Sequence, residues 1–70
     1  MHEVPIVNES IRLGPFLKLA SLLDSGSDAK AAIADGLVSV NGDVEVRRGR
    51  QLHPGDTVSI GTESARVVRG

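Results

Sequence analysis

The sequence predicts an α+β domain in which two short helices pack on a small antiparallel sheet. After a first short strand come two apolar stripes with helical spacing, and three or four short runs with alternating apolar residues follow. Glycine, asparagine and proline separate these runs, as they do at turns. Helices that precede a group of strands, instead of alternating with them, favour the α+β class over a parallel α/β sheet.

The elements before the hairpin are an edge strand and two helices. Residues 3–7 are predicted as the edge strand, because Pro5 cannot donate a ladder hydrogen bond. The first helix is predicted at about residues 15–23, where apolar side chains recur at i, i+3, i+4 and i+7. Ser27 is the predicted N-cap of the second helix, and Gly36, which accepts a left-handed backbone, is predicted to end it.

A β-hairpin is predicted around Asn41-Gly42, since both residues accept a positive φ. A strict two-residue loop would place Glu45 on the face of the preceding valines, which are expected to be buried. An odd loop or a bulge would place Val44 and Val46 there instead. Because burial decides between such registers, the sequence predicts the odd loop or the bulge.

The remaining elements are an exposed basic loop and two more strands. Arg47-Arg48-Gly49-Arg50 leaves the hairpin, and Leu52 returns to the core. A turn at residues 53–56 precedes a strand at residues 57–60 and a last strand beyond it. The predicted core consists of these side chains: Phe16, Leu19, Leu23, Ile33, Val38, Val40, Val58 and Ile60.

Composition limits the possible functions. The 70 residues predict one domain, and the absence of cysteine, of a signal peptide and of a long apolar run favours a cytoplasmic protein without a membrane segment. Two separated histidines and no recognisable nucleophile–base motif predict no metal, no cofactor and no catalysis. The net charge is −1, so any positive face must be made by the fold. A monomer is expected.

The basic residues nevertheless suggest a polyanion site. Arg47, Arg48 and Arg50 could form bidentate pairs with phosphate, although charge alone favours a solvated loop. Lys30 lies near the positive end of the second helix, where an anion is favoured. Asn41 is most simply a turn former.

These motifs, taken in order, resemble the S4 RNA-binding domain, and most closely the small free-standing bacterial S4-like proteins. The residues that carry the resemblance are Phe16-Leu17-Lys18-Leu19, Ser25-Gly26-Ser27-Asp28-Ala29-Lys30, Ile33, Gly36-Leu37-Val38-Ser39-Val40-Asn41-Gly42, Glu45-Val46-Arg47-Arg48-Gly49 and Gly55-Asp56. The match covers about Ile11 to Ile60, the core of a single domain over residues 1–70. One departure is Asp28, which stands where many S4 domains carry arginine.

The resemblance implies an αL motif that binds RNA with its two helices and its hairpin. On that basis the candidate contacts are Lys18, Lys30, Asn41, Arg47, Arg48 and Arg50. The preferred prediction is a non-catalytic module for structured RNA, with ribosomal RNA as the best candidate. One alternative is a protein-interaction module, which the near-neutral charge favours. A less favoured alternative is a ubiquitin-like sulfur carrier, which the single C-terminal glycine and the helix pair before the hairpin disfavour.

Overall fold

The computed structural model describes residues 2–70. Along these residues the elements are β1 (His2–Ile6), β2 (Ile11–Arg12), α1 (Leu13–Leu19), α2 (Gly26–Ala34), β3 (Val38–Val40), β4 (Asp43–Val44), β5 (Gln51–Leu52), β6 (Thr57–Ile60) and β7 (Glu63–Arg69). The main sheet has the strand order β1-β7-β6-β3-β4, and β2 pairs with β5 in a separate ribbon.

The predicted α+β class is confirmed, with a mixed sheet. β3, β4, β6 and β7 pair antiparallel, whereas β1 runs parallel to β7. β1 is an edge strand, as Pro5 predicts, because a residue without an N–H is tolerated at an edge. The core lies where one face of this sheet meets the two helices, and its members form a single apolar cluster.

Helix α1 begins earlier and is shorter than predicted. Its buried residues include Leu13, Phe16 and Leu17, so the inward stripe starts before Pro15. Leu19 is 53% exposed, and its predicted place in the core is therefore wrong. Leu23 and Ile60 are only partly buried against the core, whereas the other predicted core residues are buried.

Helix α2 has a defined cap at each end. The N-cap is Ser25, two residues before the predicted Ser27, and its Oγ accepts a hydrogen bond from the Asp28 N–H at 3.2 Å. Gly36 ends the helix with φ +75°, as predicted. The N–H of Gly36 and that of the next residue donate to carbonyls of the last turn, at 3.1 and 3.0 Å, which completes a Schellman motif.

The β3–β4 hairpin has the two-residue loop that the sequence disfavoured. Val40 pairs with Asp43, and Asn41-Gly42 takes φ values of 52° and 90°, as in a type I′ turn. The predicted odd loop or bulge is wrong. Alternation along the strand exposes Val44 (64%) and Val46 (59%) and buries Glu45, which retains only 7% of its accessible surface. The partners of the Glu45 carboxylate, described below, explain why this register is stable.

The corrected α1 stripe gives a test of the fold. Leu17→Ala removes a fully buried side chain and is expected to lower the free energy of unfolding by about 2 to 5 kcal/mol. Leu19→Ala on the same helix should change it by roughly 0.5 kcal/mol, as is usual at exposed positions. Urea unfolding of both variants measures the difference. Equal losses would contradict the observed orientation of α1.

Candidate functional site

An open groove of about 580 Å³ lies where the starts of α1 and α2 meet the loop after the hairpin. We call it the cationic groove. Its lining residues are Arg12, Gly14, Pro15, Lys18, Gly26, Ala29, Arg48 and Gly49. The lining includes basic side chains from three separate segments and no acidic one. The fold therefore gathers three cationic side chains around one groove on a chain whose net charge is −1.

The cationic groove contains only some of the predicted contacts. Lys18 and Arg48 line it, whereas Lys30, although exposed on α2, is not part of its lining. Arg12 also lines the groove, and sequence reasoning missed it. It lies in the two-residue strand β2, and only the pairing of β2 with β5 brings it beside the basic loop. The sequence signal that could have found it is the alternation of Arg12 with Ile11 and Leu13, a pattern in which the polar side chain faces away from the core.

Asn41 lies elsewhere, and its side chain has partners within the protein. Its Nδ2 donates to Asp56 Oδ1 at 3.0 Å, and its Oδ1 accepts from the Thr57 N–H at 2.9 Å. The backbone N–H of Asn41 also donates to the Thr57 carbonyl at 2.8 Å. These bonds join the hairpin to the start of β6. The geometry thus supports the simpler interpretation of Asn41 as a turn former.

Asp56 completes this second network. Burial alone would raise its pKa, but the His53 N–H, which donates to Asp56 Oδ2 at 2.8 Å, and the Asn41 amide keep the pKa below its ordinary value. The ionised carboxylate closes the turn between β5 and β6, where Gly55 has a positive φ of 102°. This network shapes the turn and lies apart from the cationic groove.

Glu45 is the buried charged side chain among residues 2–70. Its Oε2 accepts from the backbone N–H and the Nε of Arg47, both at 3.1 Å. Its Oε1 accepts from Nη2 of Arg47 at 3.2 Å and from Nη1 of Arg50 at 2.9 Å. We call this set the Glu45 cluster. Each carboxylate oxygen thus receives charge-assisted hydrogen bonds, which are stronger than neutral ones.

The Glu45 cluster sets the protonation state of the buried acid. The hydrogen bonds from Arg47 and then Arg50 lower the pKa of Glu45 from 4.5 to about 2, against the opposing effect of burial. The same contact raises the pKa of Arg47. At neutral pH the pair is therefore fully charged. A paired carboxylate can occupy the inner face of the hairpin, and this is why the hairpin register differs from the prediction based on burial of valines.

The three arginines of the basic loop consequently differ in their surroundings. Arg47 and Arg50 form ion pairs with Glu45, whereas Arg48 lines the cationic groove. Residues 47–50 were predicted as an exposed basic loop. In the structure, two of its arginines, Arg47 and Arg50, pair with the carboxylate of Glu45. Of the three, Arg48 is the one whose position suits it to meet a ligand in the groove.

Backbone hydrogen bonds attach this loop to α1. The N–H of Leu13 donates to the Arg50 carbonyl at 2.9 Å, and that of Gly14 donates to the Arg48 carbonyl at 3.1 Å. A Cβ on Gly14 would lie 2.7 Å from Cγ of Arg48, closer than real Cβ contacts allow. Glycine at this position therefore permits the Arg48 side chain to lie against the start of the helix.

Two further features bear on the function classes considered from the sequence. Within residues 2–70, no three His, Asp or Glu side chains lie together in a way that could hold a metal ion. Over the same residues, no helix has the length and apolar character needed to cross a membrane.

The fold and the groove define a small α+β domain with a cationic face, and sequence comparison gives its family. The model of the S4 domain family matches residues 4–68, and the chain belongs to this family. The resemblance noted from the sequence motifs is thereby confirmed.

Curated relatives agree with this assignment. The chain is 46% identical over 68 residues to the probable ribosome maturation protein RlbA of Bacillus subtilis (strain 168), with 96% of each chain covered. It is 43% identical over 58 residues to YbcJ of Escherichia coli (strain K12), a candidate RNA-binding protein, with 83% of each chain covered.

Solved structures share the fold. The solution structure of E. coli YbcJ, reported to reveal an αL motif involved in RNA binding, superposes with a TM-score of 0.69 at 37% identity, covering 96% of this chain and 84% of that one. The crystal structure of 30S ribosomal protein S4e from Thermoplasma acidophilum gives a TM-score of 0.65 at 27% identity. That match covers 84% of this chain but 31% of the ribosomal protein, so it concerns one part of S4e.

The low pKa of Glu45 predicts a specific acid sensitivity. Because its folded pKa of about 2 lies below the ordinary value of 4.5, its stabilising contribution is complete above about pH 4.5 and is lost as the pH falls toward 2. Melting temperatures of the unmutated protein and of Glu45→Gln should therefore converge over that interval. If the difference in melting temperature between the two proteins stayed constant within about 1 °C from pH 5 to pH 2, the ionised Glu45 cluster would be contradicted.

Proposed function

We propose that this chain is a non-catalytic RNA-binding module whose contact surface is the cationic groove. Membership of the S4 domain family and the RNA-related names of its relatives support the RNA partner. The observation that carries the assignment of the site is the convergence of Arg12, Lys18 and Arg48 in one groove with no acidic lining residue. Such a surface attracts the phosphate backbone.

The composition favours recognition through phosphates and shape. Phe16 is the only aromatic residue, and it is fully buried in the core. No Phe, Tyr or Trp side chain is therefore available as a platform for base stacking, which many single-strand binders use. Arginine supplies a planar fork for phosphate oxygens, and A-form RNA offers its backbone more readily than its narrow major groove. Structured RNA is the substrate class that fits.

Ribosomal RNA is the first RNA to test. The relative RlbA is named for ribosome maturation, and S4e is a protein of the 30S ribosomal subunit. These names motivate the choice of probe. The monomeric state, the cytoplasmic location and the lack of catalysis stay predictions, as do contacts from Lys30 and Asn41.

The two alternative functions differ in their support. Membership of the S4 family leaves the sulfur-carrier hypothesis without a supporting observation. A protein-interaction role has one supporting observation. The apolar side chains of Leu37, Val44 and Val46 are exposed around the edge strand β4. This surface does not include the cationic groove, so substitutions in the groove discriminate between RNA binding there and protein binding at β4.

A salt titration tests the site. The double variant Lys18→Ala with Arg48→Ala should weaken binding to total ribosomal RNA and flatten its dependence on salt by roughly one unit of slope per lost phosphate contact. The matched control is Arg66→Ala with Arg69→Ala on β7, which removes the same charge from a strand outside the groove. Fluorescence anisotropy over a series of salt concentrations measures both.

The two double variants distinguish a localised site from a general effect of charge. Equal losses of affinity would mean that binding depends on overall charge and not on the groove. An unmutated protein without salt-sensitive binding would contradict the RNA assignment itself.

A charge-neutral substitution tests the placement of Arg48. Gly14→Ala is expected to displace the Arg48 side chain, since the added Cβ would come within 2.7 Å of its Cγ. Affinity for ribosomal RNA should fall by roughly threefold or more, the scale of coupling between contacting residues, although no charge is lost. Ser27→Ala, at an exposed position of α2 that does not line the groove, is the control. Unchanged affinity in Gly14→Ala would show that the position of Arg48 is unimportant.

A further inference from the structure

Glu45 places a negative charge next to the surface that is proposed to bind a polyanion. Its side chain is buried, and both of its oxygens are occupied by hydrogen bonds from Arg47 and Arg50. A carboxylate near an RNA site would ordinarily oppose binding by simple repulsion. The contacts of Glu45 indicate a different role.

The Glu45 cluster restrains the loop on both sides of Arg48. Arg47 precedes Arg48 and is held through its side chain and its backbone N–H, and Arg50 follows and is held through Nη1. Within the loop, the N–H of Arg50 donates to the Arg47 carbonyl at 3.2 Å. Arg48 and Gly49, which lie between these two anchored arginines, are thus presented on a closed turn.

The same turn is attached to the wall of the groove. The carbonyls of Arg48 and Arg50 accept hydrogen bonds from the first two residues of α1, and the Arg48 side chain lies against Gly14. The contacts therefore run without interruption from the Glu45 carboxylate, through Arg47 and Arg50, to the placement of Arg48 beside α1.

We propose that Glu45 is a positioning residue for RNA binding, which holds Arg47 and Arg50 so that Arg48 is presented to the cationic groove. The inference rests on the proposed function. It gives the three arginines two roles: Arg47 and Arg50 shape the loop, and Arg48 contacts phosphate. A cation that is already ordered in its binding position loses less conformational freedom on association, so the acid strengthens binding despite its charge.

The sign of a charge effect tests this proposal. Glu45→Gln and Asp43→Asn each remove one negative charge from the same hairpin, and Asp43 is exposed. If only net charge mattered, both variants would bind ribosomal RNA more tightly. We expect Glu45→Gln to bind roughly threefold more weakly or worse, with a salt slope smaller by about one, and Asp43→Asn to bind equally or slightly more tightly.

A second pair of variants keeps the net charge constant. Glu45→Asp shortens the side chain by one methylene and should weaken binding, because the carboxylate no longer reaches both arginines. Asp43→Glu is its matched control and should bind as the unmutated protein does. All affinities are measured at a temperature where amide NMR spectra show each variant fully folded, so that a loss of stability alone leaves them unchanged.

The unmutated protein supplies an independent measurement. On addition of ribosomal RNA fragments, the Nε–H resonance of Arg48 should shift, whereas that of Arg47 should keep its free position because it remains bonded to Glu45. A shift of Arg47 equal to that of Arg48 would overturn the proposal whether or not any variant folds.

The outcomes separate this proposal from the function on which it depends. Binding by folded Glu45→Gln or Glu45→Asp that is as tight as in the unmutated protein would overturn the role of Glu45, while groove variants that still weaken binding would leave RNA binding intact. Absence of salt-sensitive binding by the unmutated protein would instead refute the RNA function, and with it this inference.

Discussion

The buried carboxylate of Glu45 is the constraint on which the hairpin and the adjoining groove depend. A lone carboxylate on the inner face of a sheet would carry a large desolvation cost, whereas one that accepts four hydrogen bonds from two arginines is compatible with burial. The same bonds hold two arginines of the basic loop, and backbone bonds from Leu13 and Gly14 attach that loop to α1. The hairpin register, the basic loop and the wall of the groove therefore meet at one ion-pair cluster.

Local signals in the sequence predicted most of the elements. Gly36 and Asn41-Gly42 were identified correctly because a positive φ is a property of the residue and its immediate neighbours. The hairpin register was predicted wrongly. Burial of Glu45 depends on ion pairs with Arg47 and Arg50, and these pairs form only when the loop after the hairpin is folded. The α1 stripe was ambiguous for a related reason. Several leucines lie close together there, and only packing decides that Leu17 is buried and Leu19 is exposed.

The candidate site was predictable in kind but not in membership. A cluster of arginines after a hairpin is visible in the sequence, and Lys18 and Arg48 do meet in one groove. Arg12 was not expected there, because its position depends on a two-residue ribbon between segments far apart in the chain. The sequence likewise could not show that Glu45 pairs with two of the arginines. Equivalent residues in a linear motif thus acquire different environments once the chain is folded.

The parallel pairing of β1 with β7 has a consequence for the order in which the molecule assembles. It joins residues near opposite ends of the described chain, His2 beside Ala65 and Ile6 beside Arg69, and it contributes Val4 and Val67 to the core. Contacts so distant in sequence carry a larger loop-closure entropy and are expected to form later than those of the helix pair and the hairpin, which rely on near neighbours. The helix pair and the hairpin are therefore expected to gain structure first, and closure of the sheet by β1 to complete the cooperative transition.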